Sequence, residues 1–155
     1  MRPIDVWLNE YAVSHQHPTN KLIHWICVPA IVVSLVGVLW WLRVPTVFSE
    51  ISPILNWGTV FLMAAIVYYF VLSVPLAIGM VLIIAAVIGI VSWLSGFETP
   101  LWQISLAIFV IAWIGQFVGH MIEGKRPSFF KDLQFLMIGP AWLLASLYRK
   151  LRIPY

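Results

Sequence analysis

Four stretches of this chain are apolar and free of Asp, Glu, Lys and Arg: Leu22–Leu42, Trp57–Leu72, Leu76–Leu94 and Leu101–Ile122. A helix needs about 20 such residues to cross the ~30 Å hydrocarbon core of a bilayer, and every backbone N–H and C=O must be satisfied within it. The runs lack the residue-by-residue alternation of a lipid-facing barrel strand. The sequence therefore predicts an all-α integral membrane protein with four transmembrane helices, Trp57–Leu72 being the shortest. With 62% apolar and 10% charged residues among 155, too few polar groups remain to cover a water-soluble fold. One membrane domain over residues 1–155 accounts for the length.

The flanking segments are read from their local signals. Ile4, Trp7, Leu8 and Tyr11 fall at helical spacing behind Pro3, predicting a short amphipathic helix over residues 3–14 along the membrane surface. Pro18 predicts a break, with Thr19 or Asn20 capping the first span, and Pro45 to Pro53 reads as a loop. Ser73 and Pro75 separate the second run from the third. Glu123 to Asp132 reads as a basic loop, with Asp132 able to cap a last segment, Leu133 to Leu147. Gly139-Pro140 interrupts that segment, so it is expected to dip in and return, or to make a fifth crossing.

Charge placement selects between these topologies. Four crossings plus a returning last segment put Arg2, Lys21, Lys125, Arg126, Lys131, Arg149, Lys150 and Arg152 on one side and leave Arg43 opposite. The positive-inside bias then makes both termini cytoplasmic, in a bacterial inner membrane or, for a eukaryotic chain, the endoplasmic reticulum. The net charge of +3 suits an anionic bilayer surface, and nothing in the pattern suits nucleic acid. Gly79, Ala85, Ala86, Gly89 and Ser92 in the third run, with Gly115 and Gly119 in the fourth, predict close helix packing and leave room for self-association as a homo-oligomer. Cys27 reads as a small buried apolar residue.

The same topology gathers the chemistry. His15, His17 and His24 lie within ten residues at the start of the first span, and the fourth histidine, His120, lies at the end of the fourth. Four crossings bring all of them, with Glu123, to one membrane face. Gln116, His120 and Glu123 follow at i, i+4 and i+7 on one helical stripe, and Asn20 and His24 share another. Imidazole-plus-carboxylate ligation with open positions suits non-haem Fe(II) and O₂ chemistry. Zinc accepts the same donors, so ligand type alone does not name the metal. The residues also allow a non-enzymatic protein that binds or transports a metal ion or lipid, although a transporter would place more polar groups at mid-membrane.

In its motifs the chain resembles the Mpo1-like membrane family, whose fungal member is a 2-hydroxy fatty acid dioxygenase of the endoplasmic reticulum. The likeness rests on Tyr11, on His15…Pro18-x-Asn20…His24…Pro29, and on Gln116-Phe117-Val118-Gly119-His120 followed by Glu123 and Arg126-Pro127. It implies an Fe(II)-dependent enzyme of fatty acid α-oxidation that removes one carbon from a 2-hydroxy acyl chain with O₂. His15, His24 and His120 match the family's histidines, so these, with Glu123, are the expected catalytic and metal-binding residues. The family usually carries Asn at the position of His17, which leaves His17 an additional candidate ligand. Lys125, Arg126, Gln116 and Asn20 are the expected contacts to a fatty acid or other lipid substrate.

Overall fold

The computed structural model describes residues 3–124 and 135–155, and the regular structure among them is entirely helical. The helices are α1 (Pro3–Val13), α2 (Pro18–Trp41), α3 (Thr46–Ile51), α4 (Trp57–Leu72), α5 (Val74–Leu94), α6 (Leu101–Ile122) and α7 (Ile138–Leu151). Of these, α2, α5 and α6 are long and apolar enough to cross a membrane. The α4 helix has 16 residues, about 24 Å at ~1.5 Å per residue, and is shorter than a full span.

Several boundaries differ from expectation, for local reasons. Pro18 starts α2 instead of breaking the path, because a first-turn proline forgoes an N–H that has no helical partner anyway. The cap is His17, whose Nδ1 accepts from the Thr19 N–H at 3.2 Å, in place of Thr19 or Asn20. Residues 46–51, expected as loop, coil into α3. Ser73 closes α4 and opens α5, so Pro75 falls in the first turn of α5 and the third run begins at Val74. Pro140 likewise sits in the first turn of α7, so Gly139-Pro140 begins that helix instead of interrupting it. The α7 helix has 14 residues, about 21 Å. Asp132 and Leu133, like the rest of residues 125–134, lie outside the described residues.

At the centre is α2, which packs against α4, α5, α6 and α7. Its antiparallel seam with α6 is closed by glycines. A Cβ on Gly119 would strike the Asn20 side-chain oxygen, one on Gly115 the Cys27 sulfur, and one on Gly37 the Ser105 hydroxyl. Without side chains at these points the two backbones approach closely, as helices do where lipid gives no hydrophobic drive to associate. The α5 helix behaves otherwise. Its Gly79 packs under Leu144 and Tyr148 of α7, but Gly89 meets nothing, and Ala85, Ala86 and Ser92 are exposed.

The buried stripe of α1, Ile4, Leu8 and Tyr11, joins Ile138, Ala141 and Trp142 of α7 in one core cluster. Tyr11 is thus inside the protein, whereas Trp7 stays partly exposed. Leu22, Val71, Leu82, Ile111 and Met121 point outward, the inverted exposure expected of a chain solvated by lipid.

Candidate metal centre

Three imidazoles meet where the start of α2, the end of α6 and the segment after α1 come together. His15, His24 and His120 are all buried, and one ligand atom from each lies within 4.8 Å of the others. The ring centroids are 4.2 Å apart for His15 and His24, 5.1 Å for His24 and His120, and 5.3 Å for His15 and His120.

Two of the rings have their tautomers set by the backbone. His15 Nδ1 lies 2.6 Å from the Tyr11 carbonyl, and His24 Nδ1 lies 2.9 Å from the Asn20 carbonyl. A carbonyl only accepts, so each Nδ1 carries a proton, and in the neutral ring Nε2 is the nitrogen left with a lone pair. Such donation orients ligating histidines and raises their basicity. Both carbonyls are four residues back in the chain, that of Tyr11 in the last turn of α1 and that of Asn20 in the first turn of α2. Tyr11 stacks on His15 at 4.1 Å and 8°, and Trp142 of α7 flanks the same ring at 5.5 Å. These contacts shield one side of the cluster from water. A set of three imidazole donors fits a divalent transition metal, zinc and iron included.

Glu123 lies just beyond the last residue of α6, and its carboxylate is held by the α1–α2 connection and the first turn of α2. Oε1 accepts from the Gln16 N–H at 2.8 Å, and Oε2 accepts from the His17 N–H at 2.8 Å and from the Asn20 amide at 3.1 Å. Desolvation pushes this carboxyl upward, but the His17 and Gln16 N–H groups, the Asn20 amide and the His15 charge outweigh it and hold the group below its ordinary range. The Asn20 amide also donates to the Ser14 carbonyl at 3.2 Å, while its own oxygen is buried without a hydrogen bond. Gln116, one turn before His120, is buried with its side-chain oxygen likewise without a hydrogen bond. It lines a small cavity of about 30 Å³ together with Tyr11, Val28, Leu136 and Gly139.

The whole chain bears on this geometry, because a family model described as 2-hydroxy-palmitic acid dioxygenase Mpo1-like matches residues 1–151. The chain belongs to the Mpo1-like family. No curated protein and no solved structure matches it.

In this Mpo1-like chain the structure brings together His15, His24 and His120, with Asn20 and Gln116 beside them. Glu123 is not among the ligand atoms that converge. His17 is exposed, and its ring caps α2 instead of joining the cluster. Lys125 and Arg126 lie outside the described residues. Two neighbours went unassigned in the sequence reading, the stacking role of Tyr11 and the flanking role of Trp142. Tyr11 could have been found, since it precedes His15 by one helical turn. Nothing local marks Trp142, which arrives through the docking of α7 on α1.

Proposed function

We propose that the chain is a membrane-embedded, Fe(II)-dependent dioxygenase that shortens 2-hydroxy fatty acids by one carbon. The observation that carries this reading is the convergence of three buried histidines, two with Nδ1 held by backbone carbonyls, in a chain whose family description names a 2-hydroxy-palmitic acid dioxygenase. His15, His24 and His120 are the proposed ligands. When bound, the iron supplies activation of O₂.

The chain's own residues do the rest. The Tyr11 and Asn20 carbonyls aim two imidazoles, and Tyr11 and Trp142 keep water from the His15 ring. The Gln116 oxygen is a buried acceptor suited to the substrate hydroxyl, and Lys125 and Arg126 are assigned to its carboxylate. Because both Glu123 oxygens are engaged, its role is positioning: it ties the end of α6 to the backbone that carries His15 and to the first turn of α2. We place the site at the cytoplasmic face of a four-crossing bundle, with a tilted or locally thinned bilayer around the short α4.

The test is reconstitution of protein purified without oxygen, loaded with Fe(II), then given O₂ and 2-hydroxy fatty acids. The expected product is an acyl chain one carbon shorter, read by mass spectrometry, formed only when iron and O₂ are both present. Full iron occupancy without turnover would overturn the substrate assignment.

A further inference from the structure

A second, larger cavity of about 300 Å³ lies between α2, α4, α5 and α7. The only hydroxyl in its wall among the described residues, that of Tyr69, donates to the Met137 carbonyl at 2.7 Å. Apart from the indole of Trp25, the rest of the described wall is apolar side chains, poorly suited to a polar ligand. Its volume lies at the lower end of single-ligand pockets, too small for a two-tailed lipid.

The position of this cavity indicates its occupant. Val28 and Leu136 line both it and the small cavity lined by Gln116, whose side-chain oxygen is a buried acceptor with no hydrogen bond. The two cavities are thus neighbours across a shared wall, and the smaller one is lined by Tyr11, which stacks on His15, and by Gln116, one turn before His120. From Val28 the larger cavity follows α2 past Val32 to Leu35, and Phe61 of α4 and Val87 of α5 line it as well. From His24 to Leu35 the helix rises about 16 Å, half the ~30 Å hydrocarbon core and hence the depth of a single lipid tail.

We propose that this cavity is the acyl-tail site of the substrate, with Ala65 at mid-wall and Phe61 beyond it setting the chain length accepted. The identity of the head group rests on the dioxygenase reading; the location of the tail does not. A bulky side chain at Ala65 shortens the available space, and truncation of Phe61 extends it.

The test compares 2-hydroxy fatty acids of increasing length on the wild type, Ala65→Phe and Phe61→Ala, with iron content measured in each. Loss of pocket space for a methylene is worth roughly 10-fold or more, so Ala65→Phe should lower kcat/KM for the longest acids by at least that factor and leave the shortest within about two-fold. Phe61→Ala should move the preference toward longer chains. An unchanged long-to-short ratio in both variants overturns the assignment. An independent arm uses unmodified protein and a fatty acid with a photoreactive group at its methyl end. Labelling of α4 or α5 residues in the cavity wall, competed by unlabelled fatty acid but not by phosphatidylcholine vesicles, supports the tail site even if no turnover is seen. Labelling confined to outward residues such as Leu82 and Ile111, or competed by the vesicles, overturns it.

Discussion

The α2–α6 pair and the α4–α5 pair are both built from apolar helices, yet their interiors differ in kind. Between α2 and α6 lie Asn20, His24, Ser34, Ser105, Gln116 and His120, all buried, with glycines drawing the backbones together. Between α4 and α5 the buried residues are mainly hydrocarbon, from Leu62 and Ala65 to Ile84 and Val87, and the space beside them toward α2 and α7 is left unfilled. Glycines, more than hydrogen bonds, close the pair that carries these polar groups, since the Asn20, Ser105 and Gln116 side-chain oxygens are buried there without a hydrogen bond. One pair is built to hold atoms in place, the other to leave room.

Paired substitutions test that contrast. The largest effect is expected at the proposed ligands: His120→Ala should lower metal affinity by at least about 100-fold, beyond what outer-shell losses usually cost. Ser105→Ala, on the same helix but remote from the site, should leave metal content unchanged. It removes a buried hydroxyl that has no hydrogen bond, so stability should hold or rise by up to ~1 kcal/mol. Elemental analysis of both variants decides this, and equal metal loss would end the distinction between the two ends of the seam. Next comes packing. Gly119→Ala drives a methyl into the Asn20 side chain and should cost about 1–3 kcal/mol, whereas Gly89→Ala meets open space and should be neutral or slightly stabilising. Thermal unfolding in detergent reads the difference. The smallest effect concerns positioning. Glu123→Ala frees two backbone N–H groups and the Asn20 amide and should weaken metal binding about 10-fold. His17→Asn keeps a good helix cap and should change metal binding by less than about two-fold. A metal titration showing the reverse order would make His17 the ligand and Glu123 the bystander.

Much of the fold was legible because hydrophobic runs report helices directly: Trp57–Leu72 and Leu101–Ile122 have the bounds their runs suggest. Errors came where a proline carries two meanings. Pro18 and Pro140 read as breaks in sequence, but each stands in a first turn, where the ring fits the helix. The three-histidine cluster followed from topology, since His24 and His120 sit at facing ends of an antiparallel pair. The placement of Glu123 was not legible. Its i+3 spacing from His120 assumes a helix that continues, whereas α6 ends at Ile122 and the next carboxylate reaches across to the Gln16 and His17 backbone. The apolar cavity was equally hidden, because a void belongs to the packing of four helices and has no signature in any one of them.

The cluster draws its side chains from the segment after α1, the start of α2 and the last turn of α6, so it exists only once the second half of the chain has come back to the first. Two of its members are fixed locally by carbonyls four residues back, while His120 must be delivered by the intervening α4–α5 hairpin. An ion held there would act as a latch on the finished bundle, its binding energy added to a long loop closure that the seam otherwise sustains alone. Metal uptake would then report that insertion into the membrane is complete.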